Sequence, residues 1–336
     1  MKKVLALLLA VVMVFSFAAC GEEKKQVEEK KSALEGFPAQ NFTMIVPVGA
    51  GAAIDVVARF VTDGLDLGAA VTIENLAGAS QTIGTAEMVN RGNDGYTLGM
   101  VAPAGFVSQP LVNKDLTYKM SDFTVLSHAS AFSNTTIVVK KGSKYANAEE
   151  FVNWLKTCDK FTYGLPNIGG INQLAVDQFL LNLGVYDKGT PVIYTSSAET
   201  DAAVLNGDVE FSCVDDDVMV KRLGGDQFDC VMTMTLKEDP LLPGIPYVGQ
   251  YDSKFVDVPG FKAIVCPAAV DPEIKGYLAD KITAYIKSDE YQKKLTDNGY
   301  PKMTEDQFVS ADKLQAYFDN YGATAIKVLK DCGYAD

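Results

Sequence analysis

The stretch Phe42-Thr43-Met44-Ile45-Val46-Pro47-Val48-Gly49-Ala50-Gly51-Ala52-Ala53-Ile54-Asp55-Val56-Val57-Ala58-Arg59-Phe60-Val61-Thr62-Asp63-Gly64-Leu65 decides the fold. Its first five residues are an apolar run closed by Pro47, which has no N–H to give a sheet ladder, so they predict a buried strand. Val48 to Ala53 turns the chain over on small residues. Ile54, Val57, Val61 and Leu65 then recur at three- and four-residue steps, the apolar stripe of an amphipathic helix. The turn therefore sits at a helix N-terminus, where unpaired N–H groups and the positive end of the helix dipole can hold an anion without a cationic side chain. Two readings stay open here. Either a ligand carboxylate rests on Val48, Gly49, Ala50, Gly51, Ala53, Ile54 and Asp55, or the turn is a tight connection that needs small residues only for packing.

The same device recurs downstream. Val71 to Glu74 predicts a strand, Ala77-Gly78-Ala79-Ser80 a second small-residue turn, and Thr82 to Asn90 a helix; Asn93-Asp94-Gly95 is a turn before a third strand, Tyr96 to Val101. In the second half, Thr135 to Val139 and Phe161 to Gly164 predict strands and Ala148 to Leu155 a helix. Pro166-Asn167-Ile168-Gly169-Gly170 is a third turn before the apolar run Leu174 to Leu183. Val192 to Tyr194, a helix near Thr200 to Leu205, and Glu210 to Val214 complete a second α/β region. This alternation predicts mainly parallel sheets flanked by helices, with ligands beyond the carboxyl ends of the strands. A proline-rich connection (Pro240, Pro243, Pro246, Pro259) leads to the strand Ala263 to Cys266. Asp271-Pro272 starts a helix with Ile274, Leu278, Ile282 and Ile286 on one face. Thr304 to Gln307 reads as the capping box of a closing helix striped by Phe308, Ala311, Leu314, Phe318, Tyr321 and Ala325.

At 336 residues and 48% hydrophobic content, the chain can bury the cores of two domains or one large one. Met1-Lys2-Lys3 and the apolar run Val4 to Phe17, too short for a comfortable span, read as an export signal over residues 1–19. Phe17-Ala18-Ala19-Cys20-Gly21 resembles the lipobox of bacterial lipoproteins, which implies cleavage before Cys20, lipidation of that residue, and a chain anchored to the membrane. Residues 20–36 are then the lipidated cysteine and a tether rich in Glu and Lys. A net charge of −13 makes the chain a poor partner for nucleic acid or for an anionic membrane surface, so no nucleic acid is expected. The other cysteines, 158, 213, 230, 266 and 332, are widely spaced with no Cys-x-x-Cys, which argues against a zinc knuckle or a dense disulfide framework and for small core residues. One bridged pair stays open.

Several ordered motifs together resemble the substrate-binding proteins of tripartite tricarboxylate transporters. They are Ile45-Val46-Pro47 with Gly51 and Asp55-Val56-Val57-Ala58-Arg59; Glu74-Asn75 with Gly78-Ala79 and Thr82-Ile83-Gly84; Asp94-Gly95-Tyr96-Thr97-Leu98; and, more loosely, Gly164, Gly169, Val192 to Tyr194 and Gly207-Asp208. The resemblance runs from about Phe37 to Lys330. It implies an α/β type 2 periplasmic-binding fold with two domains, residues 37–134 with 262–336 and residues 135–261, and a ligand cleft between them. It also implies a small carboxylate held largely by backbone N–H groups and waters of the turns. Gly78, Ala79, Ser80, Gln81, Ala102, Pro103, Asn167, Ile168, Gly169, Gly170 and Asp215 then join the first turn as ligand-binding candidates. Integral-membrane permease subunits are the implied protein partners of a monomeric receptor that needs no cofactor. This chain departs from the family where a glycine and a hydroxyl are missing at Gly51-Ala52-Ala53-Ile54-Asp55, where Ser80-Gln81 replaces a glycine pair, and at Ile168 to Gln173. Ile54, Ile168 and Ile171 near the site favour a monocarboxylate with an apolar part over a di- or tricarboxylate.

Other chemistry finds little support. His128 is the only histidine, so Ser-His-Asp or Cys-His catalysis depends on that one residue, which reads better as structural. Asp215-Asp216-Asp217 cannot all face one cation site from a helix or strand, though one of them fits a cleft wall. Gly49-Ala50-Gly51 lacks the Walker ending and the third glycine of the dinucleotide fingerprint. The sequence favours a solute receptor over an exported enzyme, which would need a nucleophile elbow that is missing. It does not separate delivery to a permease from ligand sensing beside a signalling receptor.

Overall fold

The computed structural model describes residues 31–145, 147–194, 196–308 and 311–335, so the export signal, Cys20 and most of the charged tether lie outside the described residues. Residues 31–35 belong to a separate short unit holding one exposed turn, with the Glu35 N–H on Ser32 O at 3.0 Å.

Residues from Gly36 onward build two five-stranded sheets. The first contains β1 (Phe42–Val46), β2 (Val71–Asn75), β3 (Thr97–Val101), β4 (Phe123–His128) and β10 (Ala263–Pro267), in the order β2-β1-β3-β10-β4. The second contains β5 (Thr135–Lys140), β6 (Phe161–Leu165), β7 (Gly189–Ile193), β8 (Phe211–Asp215) and β9 (Phe228–Thr233), in the order β7-β6-β8-β5-β9. β1 pairs in parallel with β2 and β3, and β6 with β7 and β8, as the β-turn-α alternation predicts. Each sheet is nevertheless mixed. β10 runs antiparallel to β3 and β4, and β5 runs antiparallel to β8 and β9.

The antiparallel strand in each sheet is the one that arrives from the other sheet. A strand arriving from the junction must begin at the junction end, where β1, β3, β6 and β8 finish, so it runs against them. The two crossing segments pair at the junction: Ser133 and Gly260 exchange N–H···O bonds of 3.1 and 2.6 Å, and the Ala129 N–H reaches Lys262 O at 2.7 Å. The turns after β1, β3 and β6, the end of β8, and the starts of β5 and β10 therefore share one face.

Ten helices cover the sheets among the described residues: α1 (Ala53–Thr62), α2 (Thr82–Asn90), α3 (Gln109–Val112), α4 (Ala148–Thr157), α5 (Ile171–Asn182), α6 (Ser197–Asn206), α7 (Asp216–Val220), α8 (Pro272–Lys287), α9 (Asp289–Asp297) and α10 (Ala311–Asp331). A one-turn π helix at Ala104–Ser108 leads into α3. α10 packs on β4, on that π turn and on α5, so it touches elements of both sheets. The capping box forms at Thr304 to Gln307 as expected, with Gln307 accepting from the Thr304 N–H, but it caps a separate short turn, Glu305–Gln307, and α10 starts after it. β4 and β9, both edge strands, had no clear alternation in sequence. The five described cysteines are free thiols, with Cys213 and Cys266 buried.

His128 closes β4 as a core residue. It is 3% exposed, meets Phe132 edge-on at 4.7 Å and Phe261, Tyr317 and Phe318 at 6.4–6.5 Å, and neither ring nitrogen has a hydrogen-bond partner. Burial pushes its pKa down to about 4. The folded state therefore resists a proton that the unfolded chain accepts at its ordinary value, so this group's contribution is complete above pH 6.5 and is lost as pH falls toward 4. The Asp177 and Asp215 carboxyls, pushed up to about 6 by burial, act in the opposite sense. Comparison of wild type with His128→Phe isolates the histidine. The variant should gain up to about 3 kcal/mol relative to wild type between pH 6.5 and 4, read from urea melts across that range; a pH-independent difference would show that His128 is accessible to protons.

Candidate functional site

The first turn is open. Gly49, Ala50 and Gly51 are exposed, Val48 and Ala53 are half-buried and Ile54 is buried; a Cβ added at Gly49 or Gly51 would meet nothing within 4 Å. α1 begins without a side-chain N-cap. Asp55, expected to contact a ligand, has its carboxylate committed within the fold. It accepts from the Gly51 N–H (2.7 Å), from Arg59 Nε and Nη2 (2.8 and 3.0 Å) and from Asn75 Nδ2 (2.8 Å), and the same Asn75 nitrogen donates to Val48 O (3.0 Å). Burial pulls the Asp55 pKa up, but the hydrogen bonds from Arg59, Gly51 and Asn75 outweigh it and hold the carboxyl below its usual range. Asp55 thus shapes the turn and leaves the N-terminus of α1 to face outward.

The second turn is strained. Gly78 has φ +134°, and Ala79, Ser80 and Gln81 follow with φ of +45°, +51° and +78°, three successive L residues in the left-handed region. Such positions cost on the order of 1–3 kcal/mol each and persist only where the surroundings over-determine them. Here Gln81 is held against the π turn: a Cβ on Gly105 would lie 2.6 Å from the Gln81 Cβ, and the Thr85 hydroxyl donates to Gln81 O at 2.8 Å. Ala102 and Pro103 are buried ahead of that π turn. α2 also lacks a side-chain cap.

The third turn is buried. Gly169 has φ +78°, its N–H donates to Gln173 Oε1 at 2.6 Å, and a Cβ there would sit 2.7 Å from the Ser108 Cβ. Gln109 Nε2 donates to Ile168 O at 3.2 Å, a direct bond between elements of the two sheets. A Cβ on Gly170 would strike Asn167 Oδ1. α5 is uncapped too, whereas α4, α6, α8 and α9 carry side-chain caps from Asn147, Ser196, Asp271 and Ser288.

The structure brings the second turn, the π turn and the third turn together. Asp215 stands at the end of β8, half-buried, accepting from Asn172 Nδ2 at 3.0 Å; burial and the nearby Asp217 charge push its carboxyl up to about 6. Asp216 instead accepts from the Asn134 N–H (2.9 Å) and holds the crossing segment. Sequence reasoning passed over Ser108, Gln109, Gln173 and Tyr321. The available signal was polarity out of place, since Gln173 and Asp177 lie one turn apart in a helix buried nearly throughout and both are fully buried. A shallow open depression of about 440 Å³ lined by Arg59, Phe60, Thr62, Asp63, Val71 and Ile73 lies along the far part of α1, away from the turn before it. Among the described residues no cluster of His, Cys, Asp and Glu could hold a metal ion, and no helix is long and apolar enough to cross a membrane.

The sequence profile described as "Tripartite tricarboxylate transporter family receptor" matches residues 57–319. The chain belongs to this family. An UPF0065 protein of Bordetella bronchiseptica is 27% identical over 191 residues, 56% of this chain and about half (54%) of that relative. Among solved structures, the periplasmic binding protein BugD is 22% identical with a TM-score of 0.76, covering 89% of this receptor and 99% of that chain. Rpa4515 of R. palustris with adipate is 22% identical with a TM-score of 0.78, covering 88% and 98%. At these identities the likeness establishes the fold, which is the type 2 periplasmic-binding fold. The family is one of receptors and not of enzymes.

Gly51 and Gly169 share a left-handed backbone but differ in room, which separates strain from packing. Gly51→Ala should cost about 1 kcal/mol, the penalty for a Cβ in that conformation. Gly169→Ala adds the collision with Ser108 and should cost about 2–4 kcal/mol in urea melts. Equal losses would mean that the third turn is not pressed against Ser108.

Proposed function

We propose that this receptor captures a small carboxylate between the turns of its two sheets and delivers it to membrane permease subunits. The observation that carries the reading is the contrast in capping. The helices after the three small-residue turns start without a side-chain cap, as do the short α3 and α7, whereas the longer α4, α6, α8 and α9 have one. Uncapped N-terminal N–H groups at the positive end of a helix dipole suit a carboxylate and need no lysine or arginine. The shared face of the turns supports a cleft between two domains, residues 37–134 with 262–336 and residues 135–261. The adipate-bound neighbour supports the carboxylate class. Ile54 and Ile171, both buried, and the half-buried Ile168 support a ligand with an apolar part. Ala53, Ile54, Gly78 to Gln81 and Asn167 to Gly170 are the contacts this reading favours, with Asp215 at the far wall.

A ligand that binds only the folded state stabilises it by about 2.7 kcal/mol at a hundredfold excess over its dissociation constant. Thermal unfolding with malate, adipate, hexanoate and ATP, each at millimolar concentration, should show an upward shift for at least one carboxylate and none for ATP. A shift with ATP alone would replace the carboxylate reading with a nucleotide one.

The reading also includes an extracytoplasmic position, with the chain lipidated at Cys20 after removal of residues 1–19. Cys20→Ala should release the protein from the membrane fraction or block its processing, followed by fractionation and intact mass. A wild-type chain that carries no lipid and still sediments with membranes would remove the anchor.

A further inference from the structure

We propose that Ser108, Tyr321 and Gln173 form a buried, uncharged donor set that takes a carboxylate oxygen of the ligand, the side-chain half of a site whose other half is backbone N–H. The inference rests on the receptor reading above. Ser108 and Gln173 are fully buried and Tyr321 is 4% exposed, yet Ser108 Oγ, Tyr321 OH and Gln173 Nε2 make no hydrogen bond within the protein. Folded chains rarely leave buried polar groups unpaired, because the desolvation is then uncompensated. These three come from separate elements, the π turn after β3, α10 and α5; Ser108 and Gln173 both touch Gly169, and Tyr321 lies beside Ser108. Ser108 packs on that glycine, with Oγ 3.5 Å from where its Cβ would be. Gln173 Oε1 accepts the Gly169 N–H, which fixes the amide orientation and leaves the NH2 as the spare group. The Tyr321 hydroxyl lies near enough to Ser108 for that side chain to bear on its ionisation, though the two lack hydrogen-bond geometry.

Each of the three unpaired groups can donate; the unpaired acceptors nearby, Asp177 Oδ2 beside Gln173 and Asn167 Oδ1 in the third turn, belong to other side chains. Burial pushes the Tyr321 phenol far up, so it stays an O–H donor. Within the trio, Gln173 Oε1 is already used by the Gly169 N–H. Asp177 and Tyr334 flank Gln173 closely enough to interact electrostatically, but neither forms a hydrogen bond with its NH2, and that nitrogen carries two protons. The complement of two hydroxyls and an amide N–H is an oxygen with several lone pairs and negative charge, a carboxylate. The donors are supplied by both sheets' elements and by α10, so an anion seated there would join all three.

The test exploits the sign of the stability change. In the full chain, Ser108→Ala and Tyr321→Phe each delete an unpaired hydroxyl with little change of shape. For whichever of malate, adipate and hexanoate binds wild type by calorimetric titration, each single variant should weaken binding about tenfold and the double variant about a hundredfold, as expected for hydrogen bonds to a charged group. The urea midpoint of the ligand-free variants should be unchanged or higher. Unchanged affinity with a lowered midpoint would show that the hydroxyls serve structure and would overturn this proposal while leaving the receptor reading in place. No binding of any of the three probes to wild type would overturn both.

Discussion

Each sheet of this receptor receives one strand from the other, and the rest of the structure follows from that exchange. A segment that leaves β4 at the junction and enters the second sheet can only start β5 at the junction edge, and the return into β10 obeys the same rule. Both incoming strands therefore run against their neighbours, and the paired crossings at Ser133 and Gly260 tie the two reversals together. The carboxyl ends of the parallel strands, which in a doubly wound sheet face a ligand, are in this way forced toward one another. The placing of turns from both sheets at one junction results from the path of the chain and does not depend on a particular side chain. The helix α10 then spans the same junction, with Phe318 4.4 Å from Phe261 and 5.5 Å from Phe106.

Much of this was legible in the sequence, and what was not has a physical reason. Strand and helix positions follow from period: β1, β2 and α2 lie within a residue of where the apolar spacing puts them, and α1 starts one residue before Ile54 and ends three before Leu65. Strand direction does not follow from period, because β10 reads as an apolar run whichever way it points, so the sheets were expected to be mainly parallel. Asp55 looked like a ligand contact because it stands in the first turn of a helix beside a glycine turn. Its partners Arg59 and Asn75 are four and twenty residues away, and only the fold shows that they absorb the carboxylate. The sign of φ at Gly169 was likewise invisible, since glycine is compatible with either sign. Ser108 and Tyr321 are ordinary residues in sequence, more than two hundred positions apart; their meaning lies in burial without a partner.

The second turn holds three L residues in a backbone region that suits glycine. Glycine adopts the left-handed region without penalty, so a glycine pair would impose no strain where Ser80 and Gln81 now sit. Two forces hold them there. Gln81 is wedged against Gly105, where only a missing Cβ lets the turn approach, and Thr85 ties its carbonyl to α2. In return the turn gains a Gln side chain whose Oε1 is buried and unpaired. A polar side chain thus stands at a spot where a glycine would present none.

Unpaired buried polar atoms do not all carry the same meaning, and their surroundings decide between them. His128 has two unpaired ring nitrogens, but aromatic rings lie on its edge and face, and in its neutral form one nitrogen is only a weak acceptor and the other a single donor. Neutrality lets the fold tolerate it, and its consequence is acid sensitivity of stability. Ser108, Gln173 and Tyr321 cannot escape by losing charge, because they carry none, and their donors stay unpaired at every pH where the protein is folded. They also sit at the junction of elements that belong to different sheets. A penalty carried by the ligand-free protein and removed on binding raises affinity by the amount removed, so unpaired donors at the junction favour binding as directly as any contact drawn to the ligand itself.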